Sequence, residues 1–110
     1  GAALETLLFQ QLFAYNHYYK LGFQFFYWRT HSKLGVDLVL YGERGLFAFE
    51  VKRSRTINKN DLKGLTIFLT DYPVAKGFIL YGGTVRQYFG NIEAVPYEEA
   101  LPYFLKLIGV

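Results

Sequence analysis

Residues 35 to 54 read GVDLVLYGERGLFAFEVKRS, two apolar runs joined by Gly42-Glu43-Arg44-Gly45, a connection whose paired glycines suit a tight hairpin. With Glu43 and Arg44 as the central turn residues, paired positions sum to 87 and Asp37 falls opposite Glu50. Side chains alternate along a strand. Val36, Leu38, Leu40, Phe47, Phe49 and Val51 are therefore expected on one apolar face, and Asp37, Val39, Ala48, Glu50 and Lys52 on the other. Opposed Cβ atoms lie about 4.5–5.5 Å apart, where like charges destabilise a sheet. Two carboxylates held this way need a cation between them, or one must keep a proton. Lys52, two positions beyond Glu50 on the same face, is one candidate cation. A divalent metal is another.

Outward from the hairpin, the N-terminal flank carries Leu4, Leu7, Leu8, Leu12, Tyr15 and Tyr19 at helical spacing, with Gly22 as a stop, which predicts a helix from Ala2 to about Lys20. QFFYWRT, 24 to 30, is aromatic-rich and predicts a strand. On the C-terminal side, NKNDLKGLTIFLTDY, 58 to 72, opens on asparagines suited to capping and predicts a second helix ending before Pro73. GFILYG, 77 to 82, reads as a strand buried on both faces. TVRQYFG and NIEAV predict two short strands or one strand and a loop. PYEEALPYFLKLI predicts a last helix in which Pro102 must sit in the first turn or break it.

A chain of 110 residues with 52% apolar and 20% aromatic residues is expected to be one folded domain, 1 to 110, with apolar surface to spare for a neighbouring domain or a second copy. No methionine is present and the chain opens on Gly1, so a piece of a longer protein is expected. The uncharged run Thr6 to Tyr19 is too short to span a bilayer, and neither a membrane segment nor a signal peptide is indicated. The absence of cysteine excludes disulfides, thiolate zinc sites and cysteine nucleophiles, and fits a cytoplasmic location. A net charge of +3 permits a polyanionic partner.

Mg²⁺ accepts one or two carboxylates and keeps several waters, so Asp37 and Glu50 on one strand face form a suitable donor set. Such an ion positions and acidifies a water and stabilises charge on a phosphoryl group, while Lys52 orients the nucleophile or neutralises developing charge. Gly35, facing Lys52 in this register, is expected to leave room for substrate. Glu5 shares a helix face with Leu8, Phe9 and Leu12, so it is expected to point inward and support a second ion or a bound water. The same residues admit an ordinary account. In it Asp37 is an edge charge, Glu50 and Lys52 form an ion pair, and Glu5 favours a helix N-terminus.

At these residues the chain resembles the PD-(D/E)xK nuclease superfamily. That superfamily has a restriction-endonuclease-like α/β core of helix, three strands, helix and strand, here followed by a C-terminal helix. Its signature is an acidic residue in strand two and (D/E)-x-K in strand three, matched by Asp37 and by Glu50-Val51-Lys52, with Glu5 at the position of the helix-one glutamate. LETLLFQQL, YYKLGFQFFYWRT, GVDLVL, FAFEVKRS and DLKGLTIFLTDYP are similar to successive blocks of one branch, a domain of unknown function that follows an AAA-type ATPase module in bacterial and archaeal proteins. The resemblance implies Mg²⁺ or Mn²⁺ held by Asp37, Glu50 and the Val51 carbonyl, Lys52 as catalytic lysine, DNA as substrate, and an upstream ATPase in the same chain. Val36 stands where the superfamily name has proline, and Gly35 where an acidic residue often precedes. No G-x-x-x-x-G-K-[ST] occurs in these residues.

Arg29, Lys33, Arg53, Arg55 and Lys59 surround the candidate site in sequence and are candidates for phosphate contact, or else a solvated basic rim. Asp61 and Lys63 are expected to cap or flank the second helix. Phe25, Phe26, Tyr27 and Trp28 are expected in a core or an interface rather than stacked on bases. His17 and His31 have no partner at ligand spacing. Glu93, Glu98 and Glu99 are expected on a solvated face. A homodimer, and a non-catalytic interaction or nucleic-acid-binding module that keeps the nuclease fold, are the alternatives these observations leave open.

Overall fold

Hydrophobic alternation in the central hairpin builds the middle of a mixed sheet in the structure, a computed structural model that describes residues 2–30 and 34–110. His31 and Lys33 lie outside the described residues. The elements run α1 (Ala2–Tyr18), β1 (Gln24–Arg29), β2 (Gly35–Gly42), β3 (Gly45–Val51), a 3-10 turn (Lys59–Leu62), α2 (Lys63–Asp71), β4 (Lys76–Tyr81), β5 (Gln87–Phe89), β6 (Ile92–Pro96) and α3 (Ala100–Leu107). The six strands lie in the order β1-β2-β3-β4-β6-β5. β1, β2 and β3 are antiparallel; β3, β4 and β6 are parallel neighbours; and β5 returns antiparallel to β6.

The hairpin register is the expected one, from Gly42↔Gly45 to Leu38↔Phe49. Leu38, Leu40, Phe47 and Phe49 join Phe78 and Leu80 of β4 under Leu8 and Leu12 of α1 and Phe104 of α3. Val39, Ala48, Ile79 and Tyr81 face the other way, under Leu65, Phe68 and Leu69 of α2. β4 is buried on both faces, because helices cover both sides of the parallel part of the sheet.

Val36 departs from the expected alternation. Between Phe26↔Val39 and Trp28↔Val36 the pairing takes two steps along β1 for three along β2. The extra residue therefore lies between Val36 and Val39, and the bulge turns over the beginning of β2. Val36 packs with Val39 and Ala48 beneath α2 instead of with Leu38 and Leu40.

Local signals account for the helix ends. α1 ends at Tyr18 on a left-handed Lys20, at φ 54°, with the Leu21 N–H donating to the Asn16 carbonyl, so the stop falls before the expected Gly22. Gly22, at φ +80°, turns the chain toward β1 while the Asn16 side chain bonds both the N–H and the C=O of Phe23. Asn58 and Asp61 form a reciprocal capping box, so the segment expected as one helix begins with a 3-10 turn before α2. Pro102 sits in the first turn of α3, where its missing N–H costs nothing. β5 and β6 are both strands, and β6 enters the sheet beside β4. No helix among the described residues is long and apolar enough to cross a membrane.

Candidate active site

The bulged start of β2 and the end of β3 bring Asp37 and Glu50 together. The Asp37 N–H donates to Glu50 Oε1 at 3.0 Å, and the Val51 N–H donates to Asp37 Oδ2 at 2.9 Å. Each carboxylate thus takes over a backbone donor that the ladder no longer pairs beyond Leu38↔Phe49. The Val36 carbonyl finds a different partner, accepting from Arg29 Nη1 at 3.1 Å. Both acids are half-buried, at the edge of the α2 cluster.

With no ion between them, two carboxylates this close favour a proton on one of them. Burial first, and then the Asp37 charge and its hydrogen bond, push the Glu50 carboxyl up to about 8. Lys52 offsets this only weakly, because its Nζ is drawn to Asp61 Oδ1 at 3.7 Å. Asp61 itself is set by the capping box, so the cap of the 3-10 turn also positions the lysine. Sequence reading found Asp61 as a capping residue but missed it as the partner of Lys52. The Asn58-x-x-Asp61 spacing was the visible part of that signal.

Glu5, in the first turn of α1, is half-buried and faces Asp37 and Arg29. Burial and then the Asp37 charge raise its carboxyl, while Arg29 acts in the opposite sense. Among the described residues no three His, Cys, Asp or Glu side chains are close enough together to hold a metal, so Glu5 does not join Asp37 and Glu50 as a third ligand. The room expected beside Gly35 is filled. A Cβ there would lie 2.1 Å from the Trp28 carbonyl oxygen and 2.7 Å from Arg29 Nη1.

Of the basic residues, Arg29 is spent on the Trp28 and Val36 carbonyls, whereas Arg53, Arg55 and Lys59 are exposed on the segment that leaves β3. Trp28 packs edge-on against Phe68, and Tyr27 is exposed. Glu98 and Glu99 are solvated as expected, but Glu93 lies in β6 and accepts a hydrogen bond from the Tyr103 hydroxyl.

The two acids suit a hard divalent cation. They offer only oxygen, and burial beside each other disfavours the doubly ionised pair, which an ion of charge two would restore. The Val51 N–H points to Asp37, and N–H and C=O of one strand residue point to the same neighbour, so the Val51 carbonyl shares that side.

The raised Glu50 has a consequence for stability. In the unfolded chain its carboxyl loses its proton near the ordinary value of 4.5; in the folded chain it does so near 8. Its contribution is therefore full at low pH and is lost as pH rises from about 4.5 through about 8. Without added metal, Glu50→Gln is expected to remove this loss, since an amide can donate to Asp37 as the protonated acid does. The unfolding free energy of the variant, from urea denaturation, should gain on the parent above pH 8 relative to pH 5 by on the order of 3 kcal/mol. Parallel pH profiles of parent and variant would show that Glu50 ionises normally.

The chain matches a family model described as Domain of unknown function (DUF4143) over residues 1–100. No curated protein and no solved structure matches it.

Proposed function

Starting from a chain that belongs to the DUF4143 family, whose function is unknown, we propose a metal-dependent phosphodiesterase domain of restriction-endonuclease-like fold that acts on DNA. The observation that carries this proposal is the reciprocal pairing of Asp37 and Glu50 across β2 and β3, with Lys52 following in the same strand direction. The order of helix, three antiparallel strands, helix and parallel strand supports the resemblance to the PD-(D/E)xK superfamily.

Asp37 and Glu50, with the Val51 carbonyl, would hold Mg²⁺ or Mn²⁺. A bound ion of this kind supplies an acidified water and polarises a phosphoryl oxygen. Lys52, partly exposed and only loosely paired with Asp61, can swing to orient the nucleophile or meet the charge that develops on phosphorus. Glu5 adds negative potential next to Asp37. Arg53, Arg55 and Lys59 provide contacts to backbone phosphates, which positions the strand without reading its sequence. An ATPase module elsewhere in a longer chain is the expected partner.

Calorimetric titration of this chain with Mn²⁺ and Mg²⁺ tests the proposal. Binding is expected, and Asp37→Asn with Glu50→Gln together should abolish it. Because the ion must displace the Glu50 proton, affinity should rise roughly tenfold per pH unit up to about pH 8 and then level off. Binding should also release a proton, read from buffers of different ionisation enthalpy. Lys52→Ala should keep metal affinity while losing cleavage of a DNA substrate.

One observation favours a second reading, a non-catalytic interaction or nucleic-acid-binding module. Two backbone N–H groups already serve the carboxylates, and Lys52 is paired with Asp61, so the cluster has partners without any ion. Absence of metal binding in the parent chain would select that reading.

A further inference from the structure

The sheet ends at β1, and this edge is lined with aromatic side chains on both faces. By alternation Phe25 and Tyr27 lie on the α1 side, and Phe26 and Trp28 on the α2 side. Phe25 packs against the α1–α3 core and Trp28 against Phe68, but their neighbours are left outside. Tyr27 is 75% exposed and Phe26 44%. Beside them, Phe13 of α1, edge-on to Phe25 at 5.4 Å, is 62% exposed, and Tyr41 of β2, paired with Gln24 of β1, is 54% exposed. Between α1 and β1 runs a groove of about 440 Å³ lined by Thr6, Phe9, Gln10, Phe13, Ala14 and Phe25.

Natural sheet edges are ordinarily protected by lysine, proline, inward charges, a bulge in the edge strand or a covering element, and here the bulge lies in β2 rather than in the edge strand. β1 contains no lysine, proline or acid, and its one charge, Arg29, folds back onto the Trp28 and Val36 carbonyls. We propose that β1 is the interface of a two-fold dimer of this chain, in which two copies join their β1 edges antiparallel into one continuous sheet.

Three features select a second copy. A docked helix covers one face of an edge, whereas an added strand meets the exposed aromatics of both faces and supplies partners for the edge backbone. A two-fold axis normal to the sheet keeps each face on its own side, which requires paired residues of equal parity. Centring on Phe26 sets Phe26 opposite Phe26 and Phe25 of one copy opposite Tyr27 of the other, aromatic pairs that stabilise antiparallel strands. In that register the two Arg29 side chains fall at opposite ends, so like charges stay apart. The exposed parts of Phe13, Phe26, Tyr27 and Tyr41 amount to about 500 Å² at roughly 200 Å² per aromatic side chain. With the edge backbone and the rim of the groove, this approaches the ~800 Å² that each partner gives to a stable interface.

The inference stands apart from the phosphodiesterase reading, since no metal ligand lies in β1. Sedimentation velocity over a concentration series is expected to show a dimer that Tyr27→Glu converts to monomer with its circular dichroism unchanged. The chain has no cysteine, so Phe26→Cys is a clean second probe. Residues opposed on the axis have Cα atoms about 4.5–5.5 Å apart, within disulfide range. Oxidation should link two copies of Phe26→Cys while leaving Val74→Cys, exposed on the α2–β4 loop, unlinked. A monomer at every concentration, or a dimer that survives Tyr27→Glu, would overturn the proposal. If Tyr27→Glu does not fold, failure of Phe26→Cys to link in preference to Val74→Cys would do so.

Discussion

Gly64→Ala is expected to destabilise the chain by about 3 kcal/mol, although the same change inside an exposed helix ordinarily stabilises by roughly 1 kcal/mol. The sign is reversed by contact with β2. A Cβ at Gly64 would lie 2.0 Å from the Gly35 carbonyl oxygen and 3.0 Å from its carbonyl carbon. Both are main-chain atoms, so no side chain can turn aside to make room. α2 must lift, which loosens Leu65 and Phe68 over Val36 and Val39. It also moves the 3-10 turn that carries Asp61 away from Lys52. Chemical denaturation followed by circular dichroism reads the loss. A midpoint equal to or above the parent's would mean that α2 does not rest backbone to backbone on β2.

Phe104→Ala is expected to cost about 3–5 kcal/mol, a large part of the 5–15 kcal/mol that holds an ordinary domain together. Phe104 is 3% exposed, and its ring meets Phe47 at 5.1 Å and Phe49 at 5.2 Å, both edge to face. Phe23 and Phe78 complete the cage at 6.1 and 6.4 Å. α3 therefore seals the face of the hairpin opposite to α2, and truncation leaves a cavity that four rigid rings cannot collapse to fill. Phe104→Leu should retain much of the stability by keeping apolar volume in place. A loss below 1 kcal/mol for the alanine variant would show that α3 is not part of the cooperative core. Because Phe104 lies on the side away from Lys52 and Asp61, metal affinity of the folded fraction should be unchanged.

These two substitutions lie on opposite faces of one hairpin, whose register was legible from its residues. Gly42 and Gly45 mark the turn, and two-residue periodicity carries the pairing outward from them, so Leu38, Leu40, Phe47 and Phe49 fall on one face without reference to anything distant. The meeting of Asp37 with Glu50 followed from that register. Asn58 with Asp61 as a cap, Pro102 in a first turn and β4 as a doubly buried strand are likewise statements about neighbours in the chain.

Tertiary structure alone decided how the acids are held and where the lysine goes. The bulge in β2 arises from its mismatch with β1, and this mismatch moves Val36 across the sheet and lets each carboxylate capture a backbone N–H. Lys52 turns to Asp61 because the crossover from β3 to β4 returns along the α2 face, so the lysine does not come between Asp37 and Glu50. The space beside Gly35 closed for a similar reason, since Trp28 and Gly64 approach it from other elements. Turn chemistry and alternation act over a few residues, and sequence shows them directly. Strand order, the covering of a face and the partner of a charge depend on segments tens of residues apart, whose approach is set by packing and has no local signature.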